Sequence, residues 1–285
     1  MTIGLLAGGL VVPVDGVHVD NETTASWARL SSGDYYTRRS SSVRQAIVHT
    51  TKGVWPQKLV DTLPGGKDKL LADFYNGDPD HNGAHAAADL DGTGACLADL
   101  LRKAAYHATT SNDFSWGLEI YQLADGTITR ASLRAALEMI IAGNRALGIP
   151  LQMHRAPYRA GQIVKRLRHG GADCVGIFGH RDQSWVEPRH LKPPQRAKYP
   201  DGYAGRGRGD PGDLVLEYFA ADPRIECFDY NRHEDLIAWE RRQKKLNAMG
   251  ESLDVDGICG PATWEALRRH GFADGRELDA AVEAQ

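Results

Sequence analysis

The strongest constraint on the fold is an apolar run that ends at a histidine. Residues 174–179 read Cys-Val-Gly-Ile-Phe-Gly, and His180 follows at once, before Arg181 and Asp182. Such a run is typical of a strand that is buried on both faces, and α/β proteins place their chemistry just beyond the ends of such strands. The run therefore predicts a buried strand that carries His180 to the rim of a sheet.

Two further runs predict strands that lead to the same rim. Residues 44–48 read Arg-Gln-Ala-Ile-Val and lead to His49, so two neighbouring strands would bring two imidazoles together, an arrangement that suits a metal. Residues 115–121 form a mainly apolar segment that one carboxylate, Glu119, interrupts. Because side chains alternate between the two faces of a strand, we expect Glu119 to point toward the histidines.

The remaining pattern alternates strands with helices. Asp91-Gly92 lies between two short apolar segments and is a strong hairpin signal. Helices are predicted over residues 67–75, 132–147, 160–169 and 214–221. These elements predict an α/β fold with a mixed central β-sheet flanked by helices.

The length of 285 residues allows one catalytic core and a small second domain. We expect an N-terminal lead-in over residues 1–40, a catalytic domain over 41–225 and an all-α three-helix module over 230–275. In the module, apolar residues recur at helical spacing, and Pro261 begins another helix after a tight loop. The polar tail from Ala273 is expected to fray.

Composition argues against several classes of partner. The 34 basic and 37 acidic residues give a formal net charge of −3, without a basic stripe interleaved with aromatic residues, so we expect no nucleic acid partner. No apolar run approaches the roughly 20 residues of a membrane span, and the apolar N-terminus lacks a basic leader. We expect synthesis in the cytoplasm without a signal peptide, no membrane partner, and a monomer. The four cysteines are far apart and are expected to be buried apolar residues.

The polar residues at the rim suit a hydrolytic zinc site. Such a site takes three protein ligands and leaves one position for water, and His49, His180 and Asp210 could supply them. The metal lowers the pKa of bound water, and a nearby carboxylate such as Glu119 can move a proton from nucleophile to leaving amine. Arg208 could stabilise a developing oxyanion. The implied reaction is amide hydrolysis.

Each of these residues also has a structural interpretation. A histidine at a strand end is commonly a hydrogen-bonded core residue. Glu119 could form an ion pair with an arginine, and Asp210 could cap the turn before Pro211. Spacing alone leaves these alternatives open.

Six ordered segments resemble the zinc-dependent N-acetylmuramoyl-L-alanine amidases of peptidoglycan-recognition-protein fold. The segments are residues 47–51, 84–85 with 91–92, 105–108, 112–119, 179–182 and 210–212. The resemblance covers roughly residues 40 to 220 and implies zinc ligands at His49, His180 and Asp210, with Glu119 as the catalytic glutamate. His107 matches a histidine near the family's substrate cleft, and we expect His107, His85 and Trp116 to contact substrate.

Two features depart from the family pattern. The family usually has lysine two positions before the third ligand, and Arg208 keeps the charge with a different hydrogen-bonding geometry. The 30 positions from His180 to Asp210 indicate an insertion, in which Asp182 or His190 could compete for the metal. Asp210 is preferred because Asp-Pro-Gly matches the family ending.

The resemblance also extends to the C-terminal segments. Residues 242–250 and 256–263 resemble a peptidoglycan-binding module, which would hold polymer near the catalytic domain; a generic helical cap is the alternative. The resemblance implies a peptidoglycan hydrolase that cleaves the amide between N-acetylmuramic acid and L-alanine. Such an enzyme would be a phage or prophage endolysin, which reaches the wall after holin-mediated release. The alternatives are a cytosolic wall-recycling amidase that acts on soluble muropeptides and a noncatalytic wall-recognition protein.

Overall fold

The computed structural model describes residues 3–26, 28–30, 35–37, 42–51, 83–123, 125–155, 175–180, 185–186, 203–204, 210–229, 233–257 and 259–283. Its strands are β1 Leu5–Ala7, β2 Leu10–Val12, β3 Val19–Asn21, β4 Tyr35–Thr37, β5 Gln45–Thr50, β6 Ala86–Ala88, β7 Gly94–Cys96, β8 Lys103–Ala105, β9 Ser115–Ile120, β10 Gln152–Arg155, β11 Gly176–Gly179, β12 Trp185–Val186, β13 Tyr203–Ala204 and β14 Glu226–Asp229. Its α-helices are α1 Arg130–Leu147, α2 Asp213–Ala220, α3 His233–Ala248, α4 Pro261–Arg269 and α5 Gly275–Glu283, and Thr109–Phe114 is a 3₁₀ helix. The helices predicted at residues 67–75 and 160–169 lie outside the described residues.

Backbone contacts divide the chain into two compact units. The first unit comprises residues 1–149 and 210–221, and the second comprises 150–209 and 222–285. Each unit has its own strands and helices. The domain boundaries expected from sequence, at residues 41–225 and 230–275, stay a prediction.

Five strands of the first unit lie side by side in the order β5, β9, β6, β7, β3. The pairs β5–β9, β9–β6 and β7–β3 are parallel, whereas β6–β7 is antiparallel. Helix α1 packs against this group through a buried apolar stripe that includes Leu137 and Ile140. The predicted fold class, a mixed central sheet flanked by helices, is confirmed.

The local sequence explains where α1 begins and ends. The hydroxyl of Thr129 accepts a hydrogen bond from the Ser132 amide and caps the N-terminus. Gly148 follows the helix in the left-handed region, at φ 64°, and its amide donates to carbonyls of the last turn. The predicted helix at 132–147 therefore differs from α1 only at its first turn.

The hairpin predicted at Asp91-Gly92 is also present. Strands β6 and β7 pair antiparallel around it, and Gly92 adopts φ 90°, which favours glycine. The carboxylate of Asp91 accepts a hydrogen bond of 2.9 Å from the Thr93 amide and completes the turn.

The N-terminal residues contain more structure than an extended lead-in. Strands β1 and β2 form a hairpin, and β3 pairs in parallel with β7. Asp99 accepts hydrogen bonds of 2.9 and 2.7 Å from the amides of Gly8 and Gly9, at the tip of that hairpin. These contacts attach the first residues to the sheet of the first unit.

The second unit contains the neighbouring strands β14, β10 and β11 and the three C-terminal helices. The expectation that the tail frays from Ala273 is wrong, because α5 occupies Gly275–Glu283 and buries Leu278 completely. The Asp274 carboxylate accepts from the amide of Glu277 at the start of the helix. Burial of Leu278 and this cap therefore contribute to holding the C-terminal segment in a helix.

The lengths of the helices and the burial of the cysteines complete the description of the fold. None of the described helices has both the length and the apolar character needed to cross a bilayer. Cys96 and Cys259 are buried, as expected, whereas Cys227 is half-buried. Cys174 lies outside the described residues.

Candidate metal centre

His49 and Asp210 form a buried pair in the first unit. Every residue of β5 is buried, so the strand delivers His49 into a site that is shielded from water. Asp210 lies three residues before α2. The Nδ1 atom of His49 is 3.4 Å from Oδ2 of Asp210, and the side chains are only 5% and 8% exposed.

His180, the residue after β11, completes a buried group with this pair. One ligand atom from each of His49, His180 and Asp210 lies within 4.8 Å of the other two. The structure therefore brings together the three residues that the sequence selected as ligands, and the group could hold a metal ion.

The donor set fits zinc. Two imidazole nitrogens and one carboxylate oxygen are the ligands of many hydrolytic zinc sites. Ligand atoms about 2.0–2.1 Å from a tetrahedral zinc ion lie about 3.3 Å from each other. The 3.4 Å between His49 Nδ1 and Asp210 Oδ2 agrees with that separation.

Glu119 lies beside His49 on the neighbouring strand. The parallel register of β5 and β9 pairs His49 with Glu119, so both side chains leave the same face of the sheet. Glu119 is buried, with 9% of its surface exposed. This position agrees with the alternation argument made from sequence.

His107 contacts His49 directly. Its Nδ1 is 3.2 Å from Nε2 of His49, and its Nε2 is 3.2 Å from the hydroxyl of Ser115. The His107 ring lies over Gly117, where an added Cβ would be only 2.5 Å from Nδ1. The absence of a side chain at Gly117 thus makes room for the ring.

Sequence reasoning did not identify Ser115 or Gly117. For Ser115 no sequence signal exists, because its contact with His107 depends on tertiary structure. For Gly117 a signal was available, since a glycine inside a strand often marks a close approach by another group.

His85 is held by the backbone. Its Nδ1 accepts a hydrogen bond of 3.0 Å from the Gly117 amide, so the ring proton is on Nε2, which donates to the carbonyl of Lys103 at 3.0 Å. The ring is completely buried and stands edge-on to His107. This placement assigns His85 a structural position behind His107 rather than a substrate contact.

Trp116 is a core residue. It is completely buried, its indole N–H donates to Asn144 at 3.1 Å, and its ring packs against Gly143 of α1. Because it is three residues from Glu119 along β9, it points to the opposite face of the strand. A substrate at the face of Glu119 would not reach this side chain.

Three further candidates fall in parts of the chain that the structure does not describe. Arg208, expected beside the oxyanion, lies outside the described residues, as do Asp182 and His190, the alternative ligands. Their roles stay predictions.

No family model matches the chain. No curated protein matches it either. Among solved structures, the chain is similar to Drosophila PGRP-LB, with 14% identity over 73% of this chain and 96% of that chain and a TM-score of 0.42. The chain is also similar to Drosophila Peptidoglycan Recognition Protein (PGRP)-SA, with 10% identity over 76% of this chain and 99% of that chain and a TM-score of 0.40.

A third similar structure is the Staphylococcus aureus hydrolase AmiA in complex with its ligand, with 13% identity over 74% of this chain and 85% of that chain and a TM-score of 0.39. At these sequence identities and TM-scores, the likeness concerns the course of the backbone alone.

Proposed function

We propose that this chain is a zinc-dependent N-acetylmuramoyl-L-alanine amidase, a peptidoglycan hydrolase that cleaves the amide between N-acetylmuramic acid and L-alanine. The observation that carries the proposal is the buried group of His49, His180 and Asp210 with Glu119 beside His49. The ordered motifs that resemble this amidase family supply the identity of the bond.

The ligand set would hold zinc, which when bound supplies Lewis-acid activation of water and of the scissile carbonyl. Glu119 has the position of a general base, since its carboxylate shares a face with His49 and is largely removed from solvent. It would accept a proton from the attacking water and pass it to the leaving nitrogen of L-alanine. Arg208 is proposed to stabilise negative charge on the carbonyl oxygen.

The proposal for the whole chain is a phage or prophage endolysin, with the C-terminal helices as a module that binds peptidoglycan. Attachment to the wall polymer would raise the local concentration of substrate for the catalytic residues. In this setting the enzyme would be made in the cytoplasm and reach the wall through a holin.

The test is zinc content measured together with amide cleavage on purified sacculi, scored as new amino termini of L-alanine. Wild type is expected to bind one zinc ion and cleave, and His180→Ala is expected to lose both. His18→Ala is the matched control, because the His18 side chain is 53% exposed and its loss removes an imidazole without touching the site. Binding to sacculi without new amino termini would contradict the proposal and indicate a recognition protein.

A second substrate separates the endolysin from a wall-recycling amidase. The proposed endolysin should release peptide from intact sacculi at least as readily as from soluble muropeptides. Cleavage of soluble muropeptides only would favour the recycling enzyme.

A further inference from the structure

We infer that His107 is a positioning residue: it fixes which nitrogen of His49 carries the proton, and Ser115 fixes the same choice for His107. The inference rests on the metal site of the proposed function, although it does not depend on which bond the enzyme cleaves. Its basis is the row of hydrogen-bonding atoms that runs from Asp210 through His49 and His107 to Ser115.

One nitrogen of His49 faces the carboxylate of the proposed ligand Asp210. That atom is Nδ1, which lies 3.4 Å from the carboxylate of Asp210. A neutral imidazole carries one proton, and a nitrogen that binds a metal cannot carry it. In the metal-loaded protein, the proton of His49 is therefore on Nε2.

The partner of that N–H is His107. Its Nδ1 is 3.2 Å from Nε2 of His49, so it must accept, and the proton of the neutral His107 ring is then on Nε2. That N–H points to the hydroxyl of Ser115 at 3.2 Å, and the hydroxyl accepts it. Each proton position follows from the one before it.

The geometry of β9 holds His107 in place. Ser115, Gly117 and Glu119 are alternate residues of the strand and share the face that His49 also occupies. The three atoms nearest to a Cβ built on Gly117 all belong to the His107 ring, at 2.5, 2.6 and 3.1 Å. Gly117 is thus a specific site for this ring, because any side chain there would push the ring away from His49.

A hydrogen bond to the distal nitrogen of a ligand histidine orients the ring and increases its basicity as a metal ligand. Loss of such a partner lowers metal affinity by about 10- to 100-fold. His107 therefore contributes to zinc affinity through His49, without being one of the three proposed ligands.

The first experiment measures the zinc affinity of the full chain by competition with a chelator. His107→Phe keeps a planar ring and removes the acceptor, so affinity should fall by about 10- to 100-fold. His107→Asn places an amide oxygen near the position of Nδ1 and should recover most of the affinity. Equal affinities for wild type and His107→Phe would overturn the inference, as would a loss of the same size in His107→Asn.

A double-mutant cycle tests the role of Gly117. Gly117→Ala should weaken zinc binding in the wild-type background and have little further effect in a His107→Ala background, since the clash is with the His107 ring. Additive losses of zinc affinity would show that Gly117 acts independently of His107, and would contradict the inferred clash between a side chain at position 117 and the His107 ring.

The tautomers are read directly by nitrogen NMR of ¹⁵N-histidine protein, which remains decisive if a variant fails to fold. Zinc-loaded wild type should show His49 protonated at Nε2 and His107 protonated at Nε2. Protonation of His107 at Nδ1 would overturn the inference. A wild type that binds zinc with these tautomers but cleaves no amide would overturn the proposed function alone.

Discussion

Two buried polar clusters of this protein differ in how their charges are matched. The arginine cluster of the second unit consists of Glu226, Arg242, Lys245 and Asp279. Arg242 donates to Glu226 at 2.7 Å and to Asp279 at 2.8 and 2.9 Å, and Lys245 donates to the other oxygen of Asp279 at 2.9 Å. Each cation therefore has a carboxylate within the same fold.

The histidine cluster of His49, His180 and Asp210 has a different composition, because it contains neither lysine nor arginine. It brings together two imidazoles and one carboxylate, whose nitrogen and oxygen atoms are all capable of donating a lone pair to one point. A cation supplied from outside would complement them. The comparison indicates that the arginine cluster stabilises the fold, whereas the histidine cluster could hold a metal ion.

The largest effect is expected at Glu119, which lies beside the histidine cluster. Glu119→Gln should lower cleavage of sacculi by about 10²- to 10⁴-fold, because an amide cannot accept the proton that a general base removes. Zinc content should stay at the wild-type level, since Glu119 is not a ligand in the proposed set. The measurement is the rate of appearance of L-alanine amino termini together with zinc analysis.

Asn144→Asp is the matched control for Glu119→Gln, because each substitution exchanges a carboxylate and an amide of the same size. Asn144 bonds Trp116 in the core of α1, and its substitution should affect stability far more than it affects the rate of the folded protein. A Glu119→Gln enzyme with the wild-type rate would remove Glu119 from the mechanism.

A smaller effect, on stability alone, is expected at the arginine cluster. Arg242→Ala leaves Glu226 without its cation and Asp279 with Lys245 alone. It should lower the free energy of unfolding by about 3 kcal/mol, since removal of one partner from a buried ion pair typically costs 3–5 kcal/mol. The lower end is expected because the Asp279 side chain is 34% exposed and stays partly hydrated. Urea titration of variant and wild type measures it.

Arg269→Ala provides the comparison for Arg242→Ala. The Arg269 side chain is 55% exposed and pairs with Glu251 at the surface, so its loss should change stability much less. Equal losses in the two variants would contradict the view that the arginine cluster is a buried structural element. Zinc affinity should be unchanged in both.

The sequence carried enough information to find the strands of the site. Strands buried on both faces need apolar residues at every position, so polar residues at their ends, such as His49 and His180, stand out. Strand alternation likewise identified the face of Glu119. The same rule could have separated Trp116 from the site, because residues an odd number of positions apart in a strand point to opposite faces.

Other features depend on contacts that are distant in sequence. Helix α5 has a polar composition, and its stability comes from burial of Leu278 and from the bonds of Asp279 to Arg242 and Lys245. The bond between His107 and Ser115 likewise requires the ring to lie over Gly117. No local pattern encodes these pairings, because each side chain is compatible with many other partners.

The smallest effect concerns a histidine that differs from the ligand histidines. His154 is completely buried, stacks on Phe178 at 4.9 Å between ring centroids, and donates from Nε2 to the Val175 carbonyl at 2.8 Å. Burial lowers the pKa of His154 from its ordinary value of 6.5 to about 4, although the bond to Val175 acts in the opposite direction. The neutral ring is therefore the form that the folded state favours.

This pKa shift predicts how stability depends on pH. Because the folded pKa is below the unfolded one, the unfolded chain binds the proton more tightly, and the contribution of His154 is complete above pH 6.5 and is lost as the pH falls toward 4. Between pH 8 and pH 5, wild type should lose about 2 kcal/mol more than His154→Gln, which cannot titrate and keeps a donor for Val175. Urea titrations of both proteins with chelator present, so that zinc release does not contribute, measure this difference. A stability difference that is constant with pH would show that His154 is already accessible to protons in the folded state, and that burial alone does not distinguish it from the histidines of the metal site.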